Sequence, residues 1–380
     1  MSFDLTKEQL EVKEAAREFA EKELTPERGR EFDAKEEFPW ELYRRAAKLG
    51  FIQPHFPEEY GGQGLSYLEN LLIVEEFCRA DSTLGIAITV GTFGSDLIHL
   101  FGTDEQKSKF LPLITSGQAA SAGAFTEPGH GSDITILDTT AVREGDLYVI
   151  NGTKTMISNA PIASFFVVLC QTKPGVKHRG QTLFLVERGA EGLETSKISG
   201  KLGIRASPLG EVSFNNVRVP PSSIVGEENR GFYHTLHFLD YGRLHAAAQA
   251  VGCAQGALER ALRYSKERRQ FGSRLADMQV IRHKLADMAT KVEAARLLVY
   301  RAAAKLDQGV LMPELSSMAK SFASTVAIEV VNEALQIFGG YGYLAEYDIE
   351  RIYRDVRITA IYEGTTEIQR NVIAKALIGS

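Results

Sequence analysis

The sequence predicts an α+β chain in which a β domain lies between an all-α domain and a four-helix bundle. Helical periodicity and capping patterns fill the first third, and short apolar runs typical of strands occupy residues 121 to about 225. Three long helical patterns follow Gly226. A chain of 380 residues has room for two or three domains. We place them at residues 1–118, 119–228 (a β-sheet or barrel) and 229–380.

Composition and charge exclude several classes of function. The chain is 44% hydrophobic and 24% charged, as in ordinary globular proteins, and its net charge of -6 with no long basic run argues against nucleic acid. The apolar runs, such as residues 164–170, are shorter than the ~18 residues that a membrane span needs. Three distant cysteines without a CxxC pair predict neither a disulfide framework nor a zinc knuckle, and favour a cytoplasmic protein.

The predicted first domain consists of helices with clear start signals. Thr6, Ser66 and Thr103 are each followed three residues later by Gln or Glu, which is the capping-box pattern. Residues 51–64 carry two prolines and three glycines, and we expect a loop there.

The predicted β domain is read from turns and apolar runs. Glu144-Gly145-Asp146 and Asn151-Gly152 are turn signals, and the second favours a type I′ hairpin. Residues 164–169 and 182–186 are strand-like. After this domain, residues 236–266, 276–307 and 314–338 show helical periods long enough to predict a bundle.

Glu363 is the first candidate for chemistry. It precedes Thr365, Thr366 and Glu367, which suit a helix start, so it lies in irregular backbone where a side chain can reach a cleft. Apolar neighbours would raise the pKa of its carboxyl, as a general base working near neutrality requires. A solvated capping glutamate is the alternative interpretation of this segment.

Four other patterns allow a structural and a functional interpretation. Residues 125–133 form either a simple turn or a glycine-rich loop that approaches a ligand. Residues 267–272 end a long helix, and the arginines there either compensate the helix dipole or bind a phosphate group. The trio His234, His237 and Asp240 has metal-ligand spacing, but amphipathic placement explains it and we predict no metal. Residues 340–345 match the dinucleotide fingerprint but follow a helix rather than a strand.

Taken in order, these motifs closely resemble those of the acyl-CoA dehydrogenase family of flavoenzymes, over almost the whole chain. The matching segments are Thr126-Glu127-Pro128, Gly131-Ser132-Asp133, Gly152-Thr153-Lys154, Ile157-Ser158-Asn159, Asp240 with Arg243, Arg268 with Gln270-Phe271-Gly272, residues 336–342 and Ile361-Tyr362-Glu363-Gly364-Thr365. The resemblance implies FAD held between the β domain and the bundle, with a neighbouring subunit completing the site.

The resemblance also assigns individual residues. Those implied at the isoalloxazine are Ala124, Phe125, Thr126, Gly131, Ser132, Met156, Ile157 and Ser158. Those implied at the rest of the cofactor are Arg268, Gln270, Phe271, Gln279, Gln336, Gly339, Gly340, Thr365 and Glu367. Those implied at the CoA thioester are Ser132, Asp240, Arg243 and Gly364.

The same resemblance makes Glu363 the base that removes the α-proton of an acyl-CoA while the β-hydrogen leaves as hydride to the flavin. It implies an electron-transfer flavoprotein as electron acceptor and a homotetramer built as a dimer of dimers. Alternatives are an acyl-CoA oxidase-like or monooxygenase flavoenzyme of the same fold, a desaturase for a cyclic acyl-CoA, and a flavin-free binding protein.

Three positions depart from the family pattern or add to it. Met156 stands where the family usually has Trp or Phe, and His130 replaces a small residue. Asp96 lies in a segment expected near the acyl pocket. We favour a helix-capping role for Asp96, and the alternative is a second acid or base, or a polarity filter, for a cyclic or polar acyl chain.

Overall fold

The computed structural model describes residues 4–379, and it has a helical N-terminal region, a middle sheet and a helical C-terminal region. The predicted fold class is confirmed. The N-terminal helices are α1 (Lys7–Glu23), α2 (Pro26–Lys35), α3 (Trp40–Lys48), α4 (Tyr67–Ala80), α5 (Ser82–Val90), α6 (Ser95–Phe101) and α7 (Asp104–Thr115).

Helix starts follow the predicted caps. The hydroxyls of Thr6, Ser66 and Thr103 each accept from the backbone N–H three residues on, and the side chain of that third residue returns a bond to the cap. These reciprocal bonds satisfy N–H groups that the first helical turn leaves without partners. All three predicted capping boxes are therefore confirmed.

The middle region is a mixed sheet of eight strands. They are β1 (Ser121–Ala124), β2 (Thr140–Glu144), β3 (Leu147–Ser158), β4 (Phe165–Gln171), β5 (Gln181–Glu187), β6 (Leu193–Ile198), β7 (Leu209–Val219) and β8 (Ile224–Val225). Their order is β6-β7-β3-β2-β4-β5-β8, and β1 lies parallel to β4. This path runs from β6 to β8 and forms a sheet rather than a closed barrel.

One predicted turn is present and the other is wrong. Gly145, with φ +61°, turns the chain between β2 and β3 as predicted. Asn151 and Gly152 instead lie inside β3, at an irregularity in its pairing with β7. A Cβ built on Gly152 would lie 2.5 Å from the Thr139 hydroxyl, so this glycine serves a close backbone approach within a strand.

The C-terminal region is a bundle of long helices. They are α8 (Gly231–Glu267), α9 (Gln279–Asp307), α10 (Pro313–Phe338), α11 (Ile349–Val356) and α12 (Thr366–Ile378). Helices α8, α9, α10 and α12 pack together, and a short hairpin of β9 (Arg269–Gln270) and β10 (Ser273–Arg274) projects between α8 and α9.

The hydrophobic core crosses the boundary between the first helices and the bundle. Leu71, Val74 and Cys78 of α4 belong to the same buried cluster as Val251 of α8 and Val330 of α10. The bundle and the N-terminal helices therefore share one core, and a cavity between them has fixed walls.

One apolar stretch is longer than the sequence analysis expected. Residues Ser82–Phe101 have the length and mean hydropathy (1.5) of a membrane span, but most of that window is buried inside the protein. The stretch is split into α5 and α6 by a turn at Gly91 to Gly94, and it forms part of the core.

Candidate active site

Glu363 lies in the short connection before α12, with its carboxylate in the core. Its backbone adopts φ +54°, a left-handed conformation that non-glycine residues rarely hold and that clusters at functional sites. The Oε2 atom is buried and has no hydrogen-bond partner among residues 4–379. A Cβ built on Gly242 of α8 would lie 2.3 Å from that oxygen, so the absence of a side chain there makes room for the carboxylate.

Two side chains fix the backbone around Glu363. Lys320 of α10 donates its ammonium to the Gly364 carbonyl at 2.6 Å. Gln369 of α12 donates to the Glu363 and Gly364 carbonyls, both at 2.9 Å. Thr365 caps α12 by accepting from the Ile368 N–H, as predicted. The strained loop is thus held from two helices.

The surroundings of Glu363 set its protonation. Burial raises the pKa of its carboxyl to about 7, against the opposing positive charges of Lys320 and Arg243. Burial also lowers the pKa of the Lys320 ammonium, to about 8, while Glu363 acts in the other direction. A carboxylate in this state can take a proton near neutral pH. The alternative of a solvated capping glutamate does not describe this buried carboxylate.

A small, partly enclosed cavity of about 40 Å³ lies in front of Glu363. Ser158, at the end of β3, shares its lining with Glu363, so the structure brings these two predicted residues together. The other lining residues come from the stretch α4 to α6, α8, the loop before α4 and the connection before α12. They are Gln53, Tyr67, Asn70, Thr89, Val90, Thr92, Phe93, Asp96, Phe238, Tyr241, Gly242, His245, Ala246, Gln249 and Tyr362.

Asp96 does not cap its helix, so the favoured prediction for this residue is wrong. Gly94 occupies the N-cap of α6 without any side-chain cap. The Asp96 carboxylate instead lines the cavity, accepts from Gln53 at 2.8 Å and pairs with His55 at 2.8 Å. Its position in the first helical turn also places it at the positive end of the helix.

A buried ion pair aligns two of the predicted cofactor loops. Lys154 of β3 donates to the Phe125 carbonyl at 3.1 Å and to the Glu127 carboxylate at 2.8 Å. Glu127 in turn accepts the N–H groups of Asp138 and Thr139. The pair ties the segment after β1 to β3, and the Thr155 N–H donates to the Thr126 carbonyl beside it.

The residues predicted for the isoalloxazine divide into buried and exposed sets at these loops. Ala124, Phe125 and Ile157 are buried, whereas Gly131 and Ser132 are exposed and Thr126 is half-buried. Met156 is 59% exposed on left-handed backbone with φ +55°.

A second group of predicted residues lines an open groove of about 440 Å³ on the bundle. Arg268, Gln270, Gly339 and Gly340 all lie there, and the Arg268 guanidinium stacks 5.1 Å from the centre of the Tyr341 ring. Phe271, at the tip of the β9–β10 hairpin, is 98% exposed with φ +52°. Gln279, Gln336 and Glu367 are exposed at the ends of α9, α10 and α12.

The predicted thioester residues Asp240 and Arg243 are buried against each other on α8. Arg243 donates to the Asp240 carboxylate at 2.5 Å, and the Ser316 hydroxyl donates to the same oxygen at 2.7 Å. Arg243 Nε is buried without a hydrogen-bond partner among the described residues. His234 and His237 of the excluded metal trio stack on Phe101 and Tyr241.

Sequence reasoning missed several residues of the site. Lys320 and Gln369 hold the Glu363 loop, and Gln53 and His55 hold Asp96. Lys320 carried a usable signal, because it is a lysine among Ser317 and Ala319 on a face of α10 that is otherwise small and uncharged. Gln53 and His55 lie in a loop whose periodicity carries no information.

Comparisons with known proteins agree with this architecture. Family models described as the N-terminal, middle and C-terminal domains of acyl-CoA dehydrogenase match residues 6–118, 122–217 and 229–378. The chain is 44% identical to a 3-(aryl)acrylate reductase of Clostridium sporogenes, with 97% of both chains covered. It is 41% identical to a subunit of a caffeyl-CoA reductase–Etf complex of Acetobacterium woodii, again over 97% of both.

A solved structure gives the same result. Butyryl-CoA dehydrogenase of Megasphaera elsdenii superimposes with a TM-score of 0.95 over 100% of both chains, at 40% identity. The family models and these full-length relatives together show that the chain belongs to the acyl-CoA dehydrogenase family.

Proposed function

We propose that this protein is an FAD-dependent acyl-CoA dehydrogenase that introduces or removes an α,β double bond in an acyl-CoA thioester, with Glu363 as the α-carbon base. The observation that carries the proposal is the Glu363 carboxylate. Its Oε2 atom is buried and unpartnered, burial raises the pKa of the carboxyl to about 7, and it lines a partly enclosed cavity. Relatives named as reductases and as dehydrogenases support a reaction that one set of residues serves in both directions.

The base is matched to its task by the chain itself. A thioester α-proton is weakly acidic, so the base must be close in basicity and shielded from water. Burial shields the carboxylate from water, and it also raises the pKa of Glu363 to about 7. Gly242 leaves space for the carboxylate, and Lys320 with Gln369 prevents the loop from turning it away. The Glu363 backbone N–H, as the resemblance implies, would polarise the thioester carbonyl.

The residues present fit FAD, on which the family depends. Met156 and Phe271 are exposed on left-handed backbone, and Ser158 reaches the same cavity as Glu363, as a cofactor between them would require. FAD bound there supplies the two-electron acceptor for the β-hydrogen. We propose that the loops at 124–132 and 156–158, with Thr365 and Glu367, hold its ring end.

The groove on the bundle supports a second half-site for the same cofactor. Arg268, Gln270, Gly339 and Gly340 line that groove, and Phe271 extends from the chain beside it. An arginine there suits a pyrophosphate, and an aromatic tip suits a nucleobase. We propose that Gln279 and Gln336 add contacts and that a neighbouring subunit brings this half-site to the first, within a homotetramer.

Substrate and electron partner follow from the same proposal. Ser132, Asp240, Arg243 and Gly364 would contact the CoA thioester, and an electron-transfer flavoprotein would exchange electrons with the cofactor. A relative that belongs to an Etf complex supports this partner.

We propose that the protein is cytoplasmic, because its three cysteines are buried and free.

Anaerobic titration of the purified yellow protein with a panel of acyl-CoAs tests the proposal. We expect bleaching of the flavin absorbance by at least one acyl-CoA, and the return of colour on addition of an electron-transfer flavoprotein. Aerobic controls measure peroxide, because rapid peroxide formation would indicate the oxidase alternative. A yellow protein that no saturated or unsaturated acyl-CoA perturbs would contradict the proposal.

A further inference from the structure

The cavity in front of Glu363 has apolar walls, among them Val90, Phe93 and Phe238, and one polar side. Its lining includes a carboxylate at Asp96, an amide at Gln53 and an imidazole at His245, beside the rings of Tyr67 and Tyr241. When an apolar group binds against a polar side chain, that side chain loses its hydrogen bonds to water and gains none in return. The lining therefore carries information about the acyl group.

Asp96 is the second carboxylate of this lining, beside Glu363, and it is held in place. Its side chain is 13% exposed and that of its partner His55 is 6% exposed. His55 meets Oδ1 and Gln53 donates to Oδ2, each at 2.8 Å. Burial favours the neutral acid, but His55 and Gln53 outweigh it and hold the pKa of Asp96 below its usual range. The group is an anion at neutral pH.

Asp96 retains capacity to accept a further hydrogen bond. A carboxylate offers about four lone-pair positions, and one protein donor occupies each oxygen of Asp96. Beyond its partner His55, the imidazoles of His99 and His245 add little positive charge, because burial lowers their pKa values to about 4. The remaining acceptor positions of a cavity-lining anion are best satisfied by a donor on the bound molecule.

Asp96 and Glu363 lie around one cavity but meet different surroundings. Burial raises the pKa of the Tyr67 hydroxyl most, and the nearby charges of Asp96 and Glu363 raise it further. The same hydroxyl donates to the Tyr241 carbonyl at 2.9 Å. Glu363 lacks a protein donor on Oε2, whereas both Asp96 oxygens have one. In the proposed function Glu363 faces the α-carbon, so Asp96 is left to face the remainder of the acyl group.

We propose that Asp96, positioned by His55 and Gln53, is a specificity-determining residue that accepts a hydrogen bond from a hydroxyl group on the acyl portion of the substrate. The substrate class is then a compact hydroxyacyl-CoA or hydroxyaryl-acyl-CoA rather than a plain fatty acyl-CoA. This inference rests on the proposed function. It adds a second recognition point to the cavity and requires no change in the reaction at the α- and β-carbons.

Matched substrates test it on the holoenzyme. One pair is butyryl-CoA and 4-hydroxybutyryl-CoA, and the other is 3-phenylpropionyl-CoA and 3-(4-hydroxyphenyl)propionyl-CoA. We expect the hydroxylated member of at least one pair to have a kcat/KM roughly 10- to 100-fold higher, as a charge-assisted hydrogen bond provides. Equal kcat/KM values within both pairs would overturn the proposal.

Variants then assign the preference to Asp96. Asp96→Asn should reduce the preference for the hydroxylated member about tenfold or more. The matched control is Asn70→Leu, which alters another polar residue of the lining and should change both members of a pair alike. An Asp96→Asn enzyme that keeps the wild-type ratio would contradict the assignment.

Two further measurements keep the test decisive. If Asp96→Asn lowers FAD content or the Tm, His55→Gln serves as the second variant, because it removes the partner of Oδ1 and leaves the carboxylate in place. We expect an intermediate loss of preference from it, and an unchanged ratio there would also count against the proposal. Failure of every acyl-CoA to bleach the flavin would instead contradict the proposed function itself.

Discussion

Glu363 and Asp96 are two carboxylates around one cavity, and their surroundings drive them to opposite states. Glu363 lies where burial dominates, with Oε2 unpartnered, and its pKa rises to about 7. Asp96 is also buried, but His55 and Gln53 reach both of its oxygens and lower its pKa. The difference teaches that hydrogen-bond donors, rather than burial alone, decide whether a buried carboxyl awaits a proton or remains an anion.

The largest effect should come from removing the carboxylate at Glu363. Glu363→Gln keeps the shape of the side chain, so FAD content and acyl-CoA binding should persist while turnover falls roughly 10²- to 10⁴-fold, the usual contribution of a general base. Steady-state assays with an electron-transfer flavoprotein measure it. Glu14→Gln on the exposed face of α1 is the control and should match the wild type. Near-native turnover of Glu363→Gln would end the assignment.

The next effect concerns the space that Gly242 leaves. In Gly242→Ala the new methyl group would meet Glu363 Oε2 at 2.3 Å, so the carboxylate must move. A displacement of about 1 Å at a reacting group can cost roughly 10²-fold in rate. Rapid anaerobic mixing measures the rate of flavin reduction, and Gly189→Ala, whose Cβ would meet nothing within 4 Å, is the control. Equal reduction rates for the two variants would show that the carboxylate tolerates displacement.

A third effect appears in stability rather than rate. The folded-state pKa of Glu363 lies above its unfolded value, so its ionisation opposes folding increasingly as pH rises from about 4.5 to 7, and the effect then levels off. Glu363→Gln should therefore stabilise the ligand-free fold more at pH 8 than at pH 5, by roughly 2 kcal/mol. Urea denaturation at the two pH values measures this difference. A gain that is the same at both would mean that the carboxyl titrates normally.

A smaller effect distinguishes the charge of Lys320 from its role in holding the Glu363 loop. Lys320→Met removes a cation that lowers the pKa of Glu363, so the pH at which flavin reduction is half-maximal should move to higher values. At pH 7 the rate should fall several-fold, because less of the base is ionised. Gln369→Leu removes hydrogen bonds to the same loop without changing charge, and its midpoint should remain nearer that of the wild type. Equal midpoints in the two variants would assign Lys320 a purely structural role.

Local patterns in the sequence predicted the secondary structure well wherever the physics is local. The capping boxes at Thr6, Ser66 and Thr103 formed because each needs only residues within one helical turn. Asn151-Gly152 misled because a turn signal competes with strand pairing, and pairing of β3 with β7 prevailed. Register and bulges depend on strands more than 50 residues away, which a local pattern does not contain.

The motifs of the sequence named residues that the structure brings together, but not the side chains that hold them in place. Glu363 and Ser158 line one cavity. Asp96 was misjudged, because a carboxylate in a first helical turn resembles a cap until the distant His55 and Gln53 are placed beside it. Lys320 reaches the Glu363 loop across 44 residues of chain. Such contacts follow from tertiary packing rather than from sequence spacing.

The most direct test of the whole account is the pH dependence of the first flavin reduction, measured by anaerobic rapid mixing with a saturating acyl-CoA. If the base is Glu363, the rate should rise with pH through a single ionisation near 7 and then level off, and Glu363→Gln should be slow at every pH. A rate independent of pH between 5 and 9, or a midpoint near 4.5, would show that the carboxyl is an ordinary solvated acid.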